Sequence, residues 1–253
     1  MIEFAFDPEK LANLAATHYE SYAQATPFPH IVLDNLFSSE FLNRICQEFP
    51  KPGEVSWTRR YHENSKKLEF HEEAQMGEFT WRLVAQLNSL TFMIFLEKLT
   101  GINGLVPDPH LVGGGLHQIE KGGFLNIHAD FNWHEKLKLD RRLNLLLYLN
   151  KDWKEEYGGH LELWMRDMSR CEKKLLPIFN RCVIFNTTDF SYHGHPEPLK
   201  CPEGMTRKSL ALYYYSNGRP AEERSKPHST LYQKKGAGFI KKLVSLLPGH
   251  SFF

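Results

Sequence analysis

Between about His110 and Ser216 the chain runs as short stretches rich in Val, Ile, Leu, Tyr and Phe, separated by Gly, Asn, Asp and Pro. Strands of a sandwich or barrel read this way, because the polar breaks supply turns and the apolar runs supply buried faces. The upstream third reads differently. Asp7-Pro8 precedes LANLAATHYESYAQA, which predicts a first helix. PHIVLDNLF reads as a strand, and Ser38 and Ser39 open a second helix that Pro50 closes. Glu78 to Leu99 is apolar at helical spacing and ends at Thr100-Gly101, which predicts one long supporting helix. The polar stretch from Ser56 to Gly77 has no clear period and reads as a long loop of the kind that covers a site.

Helices first and strands after predict a mostly-β core with helices packed on its outside. The expected division is 1–104 as helical support within the same domain, 105–218 as the β-core, and 219–253 as a tail. In that tail Phe239, Ile240, Leu243, Val244 and Leu247 fall on one helical face opposite Lys241 and Lys242. A helix capping the core is the expected role, with a homodimer contact or a membrane-surface helix as the alternatives.

Charge and cysteine usage remove several function classes. A net charge of +1 over 253 residues, with no basic stripe interleaved with aromatics, argues against nucleic-acid binding. Cys46, Cys171, Cys182 and Cys201 form no C-x-x-C pair, so free thiols in a reducing cytoplasm are expected rather than a zinc knuckle or a disulfide framework. MIEFAFDPEK lacks the features of a secretory signal, and no apolar run is long enough for an integral membrane segment.

The chemistry concentrates in FLNIHADFNWH, residues 124–134. On a strand Phe124, Asn126, His128 and Asp130 share one face, with successive members roughly 6.5 Å apart, so an imidazole and a carboxylate can meet at one ion. A 2-His-1-carboxylate facial triad needs a second imidazole. SYHGHPEPL supplies His193, with His195 as its rival on the same side of the strand. Further on, TRKSLALYYYS puts Arg207, Ser209, Ala211 and Tyr213 on one face, where a guanidinium can grip a carboxylate with two parallel hydrogen bonds. Gly113 to Gly115 reads as a bulge or a close backbone approach rather than a phosphate cradle, since no Gly-Lys-Ser/Thr follows. His134 and His160 read as surface or structural.

The order His128, Asp130, His193, Arg207 resembles the prolyl 4-hydroxylase-like branch of the 2-oxoglutarate and Fe(II)-dependent dioxygenases. RRLNLLLYLNKDWKEEYGGHLELW strengthens the likeness through Tyr148 to Trp153 and the Gly158-Gly159 pair, and the resemblance covers roughly Leu111 to Ser216. It implies a double-stranded β-helix, a cupin-like jelly roll, with Fe(II) on His128, Asp130 and His193. It also implies 2-oxoglutarate and O2 as co-substrates, with ascorbate as an optional reductant. Arg207 and Tyr148 would hold the C5 carboxylate, with Asn144 and Asn126 as further contacts. Relatives carry another tyrosine nine or ten residues before the first histidine, where this chain has Gln118 and Ile119.

The activity implied is hydroxylation of an unactivated carbon in a prolyl or other amino-acid side chain, releasing succinate and CO2. Asp130 favours it, since halogenating relatives lack that carboxylate. A free small molecule is the alternative substrate, and Arg141, Trp133 and Trp164 are candidate substrate contacts. A Zn(II) hydrolase and a non-catalytic binding module are the other classes weighed; the first has no use for an anion clamp at Arg207 and Tyr148, and the complete ligand set argues against the second.

Overall fold

The computed structural model describes residues 3–233. Four helices run α1 Pro8–Ala23, α2 Ser39–Glu48, α3 Glu78–Leu87 and α4 Leu90–Thr100. The strands are β1 His30–Asp34, β2 Thr58–His62, β3 Ser65–Phe70, β4 Val106–Pro107, β5 Gly115–Ile119, β6 Leu125–Ala129 and β7 Trp133–His134. They continue with β8 Leu139–Tyr148, β9 Leu161–Trp164, β10 Cys171–Leu175, β11 Arg181–Asn186, β12 His193–His195, β13 Arg207–Ser216 and β14 Leu231–Tyr232. All are antiparallel, in the order β1-β11-β8-β13-β5-β3-β6-β12-β9-β10, with β2, β4, β7 and β14 attached to β3, β13, β8 and β6. The mostly-β core with helices outside is as expected.

Two ten-residue strands, β8 and β13, form the spine, paired from Ser209 opposite Tyr148 to Ser216 opposite Asp140. Side chains alternate faces along a strand, so each spine strand serves two masters. Leu143, Leu145 and Leu147 of β8 and Leu210, Leu212 and Tyr214 of β13 join Phe41, Leu83, Phe92 and Phe95 of the helices in the main core. The intervening residues, Asn144, Leu146 and Tyr148 on one strand and Arg207, Ser209 and Tyr213 on the other, line the cavity on the opposite face.

The helix starts follow their capping residues. Asp7 accepts from the backbone of Glu9 and Lys10 to open α1, and Ser38 accepts from Phe41 to open α2. The single helix expected over Glu78 to Leu99 is instead two. Asn88 ends α3, and Ser89, in an extended conformation, caps α4 by accepting from Phe92. Both residues offer the backbone local hydrogen bonds that compete with the helix. Gly101, at φ +72°, ends α4 in the left-handed conformation.

The Ser56 to Gly77 stretch also departs from the expected loop. It forms the hairpin β2–β3, whose second strand enters the main sheet against β5 and β6. The segment 1–104 therefore contributes three strands as well as the helices. Close approach of chains also explains the glycines at 113–115. Gly115 sits at φ +86°, and a Cβ there would lie 2.3 Å from the carbonyl oxygen of Phe70. No described helix is long and apolar enough to cross a membrane. The expected tail helix, with its dimer contact, lies outside the described residues.

Glu69 pins the hairpin from inside. It is buried, and its two oxygens meet Arg60 Nε at 2.8 Å and Lys67 Nζ at 2.7 Å. Burial alone would raise its pKa, but Lys67, His117 and the hydrogen bonds from Lys67 and Arg60 bring it down to about 2. A pKa depressed by folding stabilises the protein above the usual carboxylate value, and that contribution disappears as pH falls toward 2. Chemical denaturation between pH 6 and pH 2.5, roughly spanning that window, should show a shallower loss of stability below pH 4.5 in Glu69→Gln than in the parent. Identical slopes would mean that Glu69 carries no such linkage.

Candidate metal centre and anion pocket

His128, Asp130 and His193 come together at the end of β6 and the start of β12, one ligand atom of each lying within 4.8 Å of the others. Register accounts for the convergence. β12 pairs with β6 so that His193 faces His128, with ring centroids 4.4 Å apart, whereas His195 faces Leu125. Each imidazole is fixed from behind: His128 Nδ1 donates to the Asn126 carbonyl at 2.8 Å, and His193 Nδ1 donates to the Ser191 carbonyl at 2.9 Å. With the proton on Nδ1, the lone pair of each ring sits on Nε2. Those two Nε2 atoms stand 3.5 Å from Asp130 Oδ1 and Oδ2 respectively. Three donors of this kind, all buried and aimed at one point, suit a borderline divalent ion.

Asp130 is held as firmly as the rings. Its Oδ2 accepts from Asn144 Nδ2 at 2.6 Å and from Arg141 Nη2 at 3.0 Å. Burial pushes the carboxyl pKa up, yet the Arg141 guanidinium and the two histidines hold it well below the usual range, so the group is ionised. Arg141 is fully buried, and its guanidinium carbon lies 3.4 Å from the ring centre of Tyr213 and 4.4 Å from that of Phe131. Its Nη1 has no hydrogen-bond partner among the described residues. The residue expected at the mouth is thus a buttress of the candidate ligand that also faces an outer cavity.

Behind the three donors lies an inner cavity of about 60 Å³. Arg207 enters it from the start of β13, fully enclosed, donating from Nε to the Gly159 carbonyl at 2.8 Å and from Nη2 to Tyr148 Oη at 3.3 Å. No described carboxylate pairs with this guanidinium. A buried cation without a counter-ion is costly, so the cavity is built to receive an anion. Gly159 belongs to the same arrangement: at φ +72°, a Cβ there would come within 2.6 Å of Leu199 and 3.0 Å of Arg207 Cδ. Of the further contacts expected, Asn144 is on the wall, bonded to Asp130, whereas Asn126 donates to Asn64 at 3.1 Å and lines neither cavity. Trp133 and Trp164 line neither cavity, and Trp164 Nε1 donates to Glu162.

Several residues on these walls carried no sequence signal. Lys67 and Glu69 reach in from the hairpin, and His117 from β5. Burial, with the nearby Lys67 charge, brings the His117 pKa down to about 4, so this ring is neutral near pH 7. His195 is buried in the inner cavity, and neither ring nitrogen has a hydrogen-bond partner among the described residues. The outer cavity, of about 290 Å³, opens beyond His128 and Asp130 between the hairpin, Phe131, Tyr213 and Tyr232.

Residues 114–215 match the family described as the 2OG-Fe(II) oxygenase superfamily. Over that segment, about two fifths of the chain, the β-core is similar to that superfamily. Mouse prolyl 3-hydroxylase OGFOD1 is 26% identical over a 213-residue alignment that covers 78% of this chain and 36% of the mouse protein. The chain therefore spans little more than a third of the length of that relative. Among solved structures, a Pseudomonas putida prolyl-4-hydroxylase superposes with a TM-score of 0.55 at 14% identity, covering 81% of this chain and all of the other. A Trichoplax adhaerens prolyl hydroxylase, in complex with a hypoxia inducible factor peptide fragment, gives 0.54 at 17% identity, covering 83% and 90%. The shared fold is the double-stranded β-helix, as the motif order implied.

If Asp130 owes its orientation to Asn144, then Asn144→Ala should weaken Fe(II) or Co(II) binding by about 10- to 100-fold while leaving thermal unfolding close to the parent's. Equilibrium dialysis would measure it, and unchanged metal affinity would remove Asn144 from this role.

Proposed function

We propose that this chain is a 2-oxoglutarate- and Fe(II)-dependent dioxygenase that hydroxylates an unactivated carbon, with a prolyl or similar side chain of a peptide as substrate. One observation carries the reading: a buried His128, Asp130, His193 cluster adjoins a buried guanidinium, Arg207, that has no counter-ion but has the Tyr148 hydroxyl beside it. A Zn(II) hydrolase would use the first feature and has no need of the second.

In this reading His128, Asp130 and His193 hold Fe(II), leaving positions for the co-substrate and O2. Iron with 2-oxoglutarate supplies oxidising power by decarboxylation to succinate and CO2, and the protein positions the partners. Arg207 and Tyr148 bind the distal carboxylate and so orient the oxo acid toward the three donors. Enclosure of these groups excludes water and strengthens each charge interaction. Asn144 and Arg141 keep Asp130 ionised and aimed. The outer cavity sets Phe131, Tyr213 and Tyr232 against the charged hairpin face of Arg60, Lys67 and Glu69, which suits a side chain carried on a polar backbone.

The peptide reading draws support from the prolyl hydroxylases that resemble this chain, one of them bound to a peptide fragment. Four free cysteines support placing the protein in a reducing cytoplasm, and ascorbate belongs in the assay as reductant for the iron.

Succinate release measured against proline-containing peptides, with mass detection of a product heavier by one oxygen atom, tests the activity. His128→Ala and Asp130→Ala should abolish turnover. Arg207→Ala should raise the KM for 2-oxoglutarate by roughly ten- to two-hundred-fold, the loss expected for a hydrogen bond to a charged group. An unchanged KM would remove Arg207 from the clamp.

A further inference from the structure

Arg207 meets one end of a dicarboxylate, and the other end also needs a partner. Position 119, one of the two where relatives carry a tyrosine, is occupied by Ile119, which lies on the inner cavity wall and offers no donor. Gln118 does not replace it, because its amide donates to the Pro50 carbonyl and accepts from Thr206 on the other side of β5. The ladder between β3 and β5 pairs Leu68 with Gln118 and Glu69 with His117, and one residue past its end Lys67 and Ile119 both border the inner cavity. A lysine thus stands next to the position that lacks its hydroxyl.

Lys67 borders both cavities, together with Leu125, His128, Asp130 and Tyr213, and so stands at their junction beside the candidate ligands. Its ammonium has three N–H groups, and Glu69 Oε1 at 2.7 Å accounts for one. Glu69 itself is already bound by Arg60 on its other oxygen, so the carboxylate does not need Lys67 alone for neutralisation. The charges agree. The walls of the two cavities carry Arg60, Lys67, Arg141 and Arg207 against Glu69 and Asp130, four cations less two anions, an excess of two positive charges. A divalent ion on the three donors would add two more, so the excess favours an anionic ligand and a dianion offsets part of it.

We propose that Lys67, steadied by Glu69, binds the carboxylate at the oxo-acid end of the co-substrate while Arg207 binds the distal one. The assignment rests on the oxygenase reading above and adds to it a residue from the hairpin.

Equilibrium titration of the full-length chain loaded with Ni(II), which needs no turnover, separates the two claims. The ligands are 2-oxoglutarate and pyruvate, the latter having the oxo-acid end and no distal carboxylate. Lys67→Met should weaken both by roughly ten- to two-hundred-fold, Lys67→Arg should restore much of the loss, and Arg207→Ala should weaken 2-oxoglutarate alone. Lys67→Met removes one of the two cations on Glu69, so the double variant Lys67→Met/Glu69→Gln provides a folded comparison, and it should show the same loss of pyruvate binding. Full pyruvate affinity in a folded Lys67→Met or double variant would overturn the assignment and leave the oxygenase reading standing. Absence of 2-oxoglutarate binding in the parent Ni(II) protein would overturn both.

Discussion

Two long neighbouring strands, each with one face against the helices and the other toward a polar cavity, organise the molecule. The alternation along LNLLLY in β8 and along RKSLALYYY in β13 commits Leu143, Leu145, Leu147, Leu210, Leu212 and Tyr214 to the main core. Once those six are buried, the period of two leaves no freedom for the residues between them. Asn144, Tyr148, Arg207 and Ser209 must then face the cavity. A slip of one residue in either strand would bury the arginine among leucines and expose the core face. The rigidity that the chemistry requires is therefore a by-product of hydrophobic packing on the far side of the sheet.

The electrostatics of the site form a second layer on that scaffold. Asp130 is buried, and burial favours its neutral form, so its charge depends on Arg141, Asn144 and the two imidazoles. Arg141 in turn lies between Tyr213 and Phe131, which leaves it no route to solvent. Arg207 is the opposite case, a buried cation whose protein partners are neutral oxygens. One charge is satisfied within the fold, and the other has no carboxylate partner among the described residues. That asymmetry separates the structural part of the site from the binding part.

Much of this was legible in the sequence, for reasons that are themselves physical. Strand alternation placed His128 and Asp130 together, and the turn-punctuated runs gave the β-core. Alternation placed Arg207 on the same face as Ser209 and Tyr213. Asn126 escaped the same logic because the β6–β12 pairing shifts register between His193 and His195, and its side chain turns to Asn64. The hairpin escaped because its inward face, Arg60, His62, Ser65, Lys67 and Glu69, meets a polar cavity rather than a core. Hydrophobic periodicity registers little where Leu68 and Phe70 are the only buried apolar residues of the two strands. The break between α3 and α4 was hidden by apolar residues that continue through it, and only the Asn88-Ser89 pair marked it. The role of Arg141 depends on a carboxylate eleven positions away and on a fold that brings the two within 3.0 Å.

The central claim is that His128, Asp130 and His193 hold one ion in reach of an oxo acid anchored at Arg207. Anaerobic addition of Fe(II) and then 2-oxoglutarate to the zinc-free protein, followed by visible absorption, tests it most directly. The account requires a weak metal-to-ligand band that saturates at one iron per chain and is lost in Asp130→Ala. A band that survives that substitution undiminished, or a parent protein that develops none, would contradict it.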